Sequence, residues 1–125
     1  MELPMPHMPK PGIPTAIALG LALIAAPAWA HHGWGSYDAS QVLTLTGKVQ
    51  EMSYANPHGT LRLDAPGKVW LVILAPPSRM QNRGLPADAL KPGTTVTVVG
   101  YPHKTDTSEL RAERITVNGK TTELR

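Results

Sequence analysis

Two adjacent histidines, His31 and His32, follow the triplet Ala28-Trp29-Ala30, which is typical of a signal-peptidase cleavage site. Cleavage after Ala30 makes His31 the new amino terminus. A free α-amine beside its own imidazole is a compact nitrogen chelate, and Cu(II) binds nitrogen donors more tightly than the other common first-row divalent metals. The spacing therefore predicts a copper site that begins at the amino terminus of the mature chain.

Other donor groups are available to complete this site. We expect the metal ligands to be His31, His32 and His58, with His103, Asp38 and Tyr37 as possible further ligands. The imidazoles must be neutral to bind a metal, so copper affinity should fall as the pH drops through about 6.5. Two alternatives stay open: the His-His pair binds copper only incidentally, as an exposed tail does, and the loop around His58 is simply a turn.

The first 30 residues have the layout of a cleavable signal peptide. Lys10 precedes an apolar run over residues 16–26, which ends before the small-residue cleavage triplet. The run is shorter than the roughly 20 residues of a transmembrane helix, and no second run follows. We therefore expect export to the periplasm and no membrane span after cleavage. An uncleaved membrane anchor is the alternative.

What remains after cleavage is about 95 residues, enough for one small core. We expect an extended leader over residues 31–41 and one domain over residues 42–125. The sequence contains no cysteine, which excludes disulfides, zinc-thiolate sites and thiol nucleophiles. The formal net charge is +3, but the cations are dispersed. We therefore expect no nucleic-acid partner, and instead a metal ion or an unknown periplasmic partner.

The apolar pattern predicts a mostly β fold. Alternation begins at Leu43 and slips in phase near Gln50-Glu51, which indicates a β-bulge in a long first strand. Three strands precede a short helix, for which Ser78 is the predicted N-cap, Arg79 to Arg83 the body and Gly84 the terminator. Further strands follow, the last two joined by a hairpin at the turn residues Asn118-Gly119.

This order predicts a small OB-fold-like barrel of five to six strands, with one short helix between strands 3 and 4. An open β-sandwich with the same strands is the alternative. In an OB-fold, ligands usually meet the face of strands 2 and 3 and the loops between strands 1 and 2 and between strands 4 and 5. These are the loops of His58 and His103. We therefore expect a ligand face that includes Tyr54, Asn56 and Tyr101.

Motifs for catalysis are missing from the sequence. The carboxylates are scattered without paired spacing, and no Ser-His-Asp, Gly-x-Ser-x-Gly or Gly-rich phosphate loop is present. The sequence therefore favours a non-catalytic binding protein, with copper as the first candidate ligand. The alternative is a periplasmic interaction module that binds a peptide, glycan or partner protein through the barrel face, with the histidines incidental.

Several short motifs carry a family resemblance over essentially the whole mature chain. In chain order they are His31-His32, Tyr37-Asp38, Leu45-Thr46-Gly47, Asn56-Pro57-His58, Leu74-Ala75-Pro76-Pro77-Ser78-Arg79-Met80 and Val99-Gly100-Tyr101-Pro102. With these motifs the chain resembles a domain-of-unknown-function family of small exported bacterial proteins. The resemblance implies export and one small β-rich domain, and no activity. It adds weight to His58, whereas His103 is not among the shared motifs.

Overall fold

The strands and the helix follow the predicted order. A computed structural model of the chain describes residues 2–12 and 33–125. In this part of the chain the regular elements are β1 (Leu43–Ser53), β2 (Thr60–Ala65), β3 (Lys68–Ile73), α1 (Pro77–Asn82), β4 (Thr95–Pro102), β5 (Glu109–Val117) and β6 (Lys120–Glu123). Short 3-10 turns cover Trp34–Ser36 and Ala87–Leu90.

Strand β1 serves two sides of the barrel. Its first half pairs with β4, from Leu43 opposite Gly100 to Lys48 opposite Thr95. Its second half pairs with β2, and the register shifts between Val49 and Glu51. This shift is the predicted bulge, and it bends the strand because one extra residue must be accommodated.

Barrel closure comes from a parallel pairing between β3 and β5. Leu71, Val72 and Ile73 pair with Glu109, Leu110 and Arg111. The strands therefore form a closed ring in the order β1-β2-β3-β5-β4. Strand β6 pairs with the second half of β5. This confirms the predicted OB-like barrel over the open sandwich.

The apolar core fills the inside of this ring. The least exposed large side chains are Leu61, Leu63, Leu74, Met80, Leu90, Leu110, Ile115, Val49, Val72, Val96 and Val98. Trp70 also belongs to the core cluster, as predicted. Gly47 and Gly100 allow neighbouring strands to approach closely, since a Cβ at either position would collide with the backbone carbonyl of Asp64 or Arg111.

Helix α1 begins two residues earlier than predicted, at Pro77 instead of Arg79. Pro76 occupies the N-cap position and Pro77 the first helical position, where a missing N–H costs nothing. The prediction of Ser78 as N-cap is therefore wrong, because two consecutive prolines define the start of the helix. Gly84 follows with a φ of 81°, consistent with its predicted role as terminator.

The predicted β5–β6 hairpin is confirmed. Asn118 and Gly119 have φ values of 49° and 77°, and Val117 pairs with Lys120. Positive φ at both central residues is the geometry that matches the twist of two strands. Among the residues that the structure describes, no helix is both long and apolar enough to cross a bilayer.

Candidate functional site

The part of the leader that follows His32 lies against the loop between β4 and β5. Tyr37 forms an isolated antiparallel bridge with His103. The amide of Asp38 donates to the Pro102 carbonyl at 2.9 Å, and the amide of Lys104 donates to the Ser36 carbonyl at 2.9 Å. Backbone hydrogen bonds therefore fix the leader on the outside of the barrel.

The side chain of Tyr37 is the main anchor of the leader. It is 3% exposed, and its hydroxyl donates to Oε2 of Glu109 at 2.9 Å. Burial raises the pKa of Tyr37 well above its usual value, and the hydrogen bond to Glu109 raises it further. Tyr37 is therefore a neutral hydrogen-bond donor to a buried carboxylate at physiological pH.

His103 is held from both of its ring nitrogens. Nδ1 accepts hydrogen bonds from the amides of Thr105 and Asp106, at 3.2 and 3.0 Å. Nε2 lies 3.7 Å from Oε2 of Glu109. These bonds assign the proton of the neutral ring to Nε2. A metal ion at His103 would have to bind Nε2 and displace this contact with Glu109.

Trp34 packs against a pair of arginines. The guanidinium carbon of Arg111 lies 4.3 Å from the centre of a Trp34 ring, and that of Arg125 lies 4.5 Å from it. The ring also meets Tyr101 edge to face, with centroids 6.1 Å apart. Cation–π contacts of partly desolvated arginines contribute about 0.5–2 kcal/mol each. Trp34 is therefore a second anchor of the leader.

These side chains form one group, which we call the leader cluster: Trp34, Tyr37, Tyr101, His103, Glu109 and Arg111. Three of them, Tyr37, His103 and Tyr101, are predicted site residues that the structure brings together. Glu109 and Arg111 were missed by the sequence reasoning. They alternate with the core residues Leu110 and Ala112, so their pattern is that of an ordinary solvent-facing strand surface.

Tyr54 of the predicted ligand face contacts the segment after α1. The Tyr54 hydroxyl donates to the Leu85 carbonyl at 2.6 Å, which ties the end of β1 to the segment after α1. Burial raises the pKa of Tyr54. Asn56 is exposed in the loop between β1 and β2.

Asp38 stabilises a local turn of the leader. Its carboxylate accepts hydrogen bonds from the Ser40 amide and the Gln41 side-chain amide, each at 3.0 Å. The hydrogen bonds of Ser40 lower the pKa of Asp38, and that of Gln41 lowers it further. The carboxylate has therefore a structural role in an Asx turn next to Tyr37.

His58 is half-buried at the end of the β1–β2 loop, immediately before Gly59. Gly59 extends the sheet: its amide donates to the Ala75 carbonyl, and its own carbonyl accepts from the Leu74 amide. The predicted ligands His31 and His32 lie outside the described residues. Within residues 2–12 and 33–125, no three His, Asp or Glu side chains are grouped so that they could hold a metal ion.

Taken together, the fold and the cluster define a class: an OB-like barrel whose amino-terminal leader is docked by aromatic and charged side chains. A family model matches residues 18–112, and the chain belongs to this family, which is described as a family of unknown function (DUF6152). Membership confirms the resemblance drawn from the motifs and assigns no activity. A comparison with curated proteins gave no match.

Two solved structures are similar to part of this chain. A chain of the Stn1–Ten1 complex of S. pombe has a TM-score of 0.50 and 18% identity, over 63% of this chain and 59% of that one. A chain of the complex of TiaS with an isoleucine tRNA and ATP has a TM-score of 0.49 and 20% identity, over 71% of this chain and 20% of that one. The chain thus spans less than two thirds of either neighbour. At these identities the likeness concerns the fold alone.

Proposed function

We propose that this is an exported, non-catalytic protein that binds Cu(II) through the amine and imidazole of His31, together with His32 and His58. The observation that carries the proposal is the docking of the leader. Trp34 and Tyr37 attach the chain to the barrel, beginning only two residues after His32. The docked part of the leader therefore begins at most two residues after the histidine pair in the sequence.

The distance from the docked leader to His58 is short enough for both to contribute to one metal site. Trp34 packs on Arg111, which pairs with Ile73 of β3, and Ile73 pairs in turn with Thr60 of β2. Adjacent strands are about 4.8 Å apart, so Thr60 lies roughly 10 Å from Arg111 across the sheet. His58 precedes Thr60 by two residues. An extended chain covers about 3.3 Å per residue, and an imidazole adds several ångströms, so this separation can be bridged from Gly33.

The chemistry of the donors favours copper. An amine and imidazoles offer the nitrogen set that Cu(II) prefers, and the chain has no thiolate that would favour softer metals. The other predicted donors have different roles. Burial keeps the Tyr37 hydroxyl protonated. The Asp38 carboxylate accepts a hydrogen bond within a local turn of the leader, and His103 faces Glu109. These three support the site by holding the leader.

The proposal includes export, because only cleavage after Ala30 creates the amine of His31. We propose a periplasmic location on the same basis. The runner-up function is an interaction module. One observation favours it: a shallow groove of about 160 Å³ lies on the outer side of β1, β2 and β3, and its lining includes Met52, Arg62 and Leu71. OB-folds commonly meet their ligands on this face.

The deciding experiment is a competition titration with Cu(II) on the chain that begins at His31. Two variants test the site: one extra Ala placed before His31, and His58→Ala. His103→Ala is the matched control, because it removes an imidazole that the leader cluster already uses. We expect both site variants to weaken binding more than about tenfold, or 1.4 kcal/mol. We expect the control to change it about threefold at most, through weaker docking alone.

The outcomes separate the alternatives. If only the extra Ala weakens binding, the tail chelates copper by itself and the site with His58 is refuted. If neither variant matters, the histidines are incidental to copper, and the groove on the outer side of β1, β2 and β3 becomes the candidate surface. Loss of affinity in His103→Ala equal to that in His58→Ala would refute His58 as the one distal ligand.

A further inference from the structure

Arg111 is a buried cation without an anionic partner among the described residues. Arg111 is 7% exposed, and its Nε and Nη1 atoms are buried with no hydrogen-bond partner among residues 2–12 and 33–125. The ion pairs in residues 33–125 involve other cations, namely Arg62, His103, Arg114 and Arg125. Because an unpaired buried charge costs several kcal/mol, this arrangement is unusual.

The nearest groups increase the positive charge around Arg111. Burial lowers the pKa of Arg111, and repulsion from Arg125 and Arg79 lowers it further. Tyr37 would offset this charge only as a phenolate, and its own raised pKa keeps it neutral. Glu109 is on the same face of β5, but its carboxylate is turned to Tyr37 and His103. Contact with Trp34 provides only part of the compensation.

The three arginines Arg79, Arg111 and Arg125 differ in their exposure to solvent. Arg79 and Arg125 are exposed, and both are anchored: Nη1 of Arg79 donates to the Leu124 carbonyl, and Arg125 lies 3.7 Å from Glu113. Arg111 is buried. The guanidinium groups of Arg111 and Arg125 both contact the Trp34 side chain. Two exposed cations that act electrostatically on a buried one concentrate positive potential, which attracts small anions from solution.

We propose that Arg111, Arg79 and Arg125 form a binding site for a small oxyanion, a phosphate or carboxylate group, beside Trp34. Oxyanions are acceptors for guanidinium N–H groups, and charge-assisted hydrogen bonds of this kind are about twice as strong as neutral ones. A bound oxyanion supplies both the negative charge and the acceptors that Arg111 lacks. The site uses none of the histidines, so its failure is distinguishable from that of the copper proposal, although both involve the contact of Trp34 with Arg111.

The test is an NMR titration of the metal-free chain with inorganic phosphate, and in a second arm with succinate. The signals to follow are the Nε–H of Arg111 and the indole N–H of Trp34. The matched controls are sodium chloride at equal ionic strength and the variant Arg62→Gln, which removes an exposed arginine that pairs with Glu51. We expect saturable shifts of both signals with at least one oxyanion, and none with chloride.

Two variants make the result decisive. Arg111→Lys keeps the charge and loses the planar donor set, and we expect it to weaken oxyanion binding at least about tenfold. Arg125→Gln changes an exposed residue that follows the last strand, and we expect about a threefold weakening from the lost positive charge. Shifts that do not saturate, that chloride reproduces, or that Arg62→Gln weakens as much as Arg125→Gln would refute the site.

Discussion

The two faces of strand β5 are both buried, but by different means. Leu110 and Ala112 point into the barrel and are 0% and 1% exposed, while Glu109 and Arg111 point outward and are each 7% exposed. The inner pair is covered because the sheet closes on itself. The outer pair is covered by Trp34 and Tyr37 of the leader. The core is therefore formed by the barrel itself, whereas the leader cluster also needs the leader, and we expect the leader to detach without unfolding the barrel.

Truncation inside the barrel should have the largest effect. Leu110→Ala removes a fully buried side chain and leaves a cavity, so we expect the free energy of unfolding to fall by about 2–5 kcal/mol. Urea denaturation followed by circular dichroism measures this loss. Leu45→Ala is the control, because Leu45 is only half-buried against the core and should cost less. Equal losses in the two variants would show that a fully buried position inside the barrel is no more important for stability than a half-buried one.

Loss of the Tyr37 anchor should have a smaller and local effect. Tyr37→Phe leaves the buried Glu109 carboxylate without its 2.9 Å donor, which costs about 1–3 kcal/mol. We expect faster hydrogen exchange at the amides of Asp38 and Lys104, which hold the leader, and unchanged exchange in β1 and β2. Tyr54→Phe is the matched control, since its hydroxyl bonds to Leu85 instead. Faster exchange throughout the barrel in Tyr37→Phe would show that the leader and the barrel unfold as one unit.

The same contrast explains what the sequence could predict. The barrel follows from alternation, the phase slip at Gln50-Glu51 and the Asn118-Gly119 turn, because each is a local signal with a local physical cause. The leader cluster has no such signal. Glu109 and Arg111 are charged residues at outward positions of a strand, and only the path of the leader in three dimensions buries them. The contact of His103 with Tyr37 likewise has no local signal in the sequence, since 66 positions separate the two residues.

The smallest loss of stability is expected at alkaline pH. It tests the leader cluster in the wild-type chain, with every side chain in place. The pKa of Tyr37 is raised in the folded chain, mainly by burial, above its ordinary value of about 10. Folding therefore gains full stabilisation from the protonated hydroxyl below about pH 10, and loses it as the pH rises, since the unfolded chain releases this proton first. At pH 11 the loss should be about 1 kcal/mol for this one group. Urea denaturation at pH 8 and pH 11 measures how much unfolding free energy the wild type and Tyr37→Phe each lose between the two pH values. The larger loss in the wild type is the contribution of the Tyr37 hydroxyl. If both chains lose the same stability, Tyr37 ionises as easily in the folded state as in the unfolded one, and the leader cluster does not shield it from water.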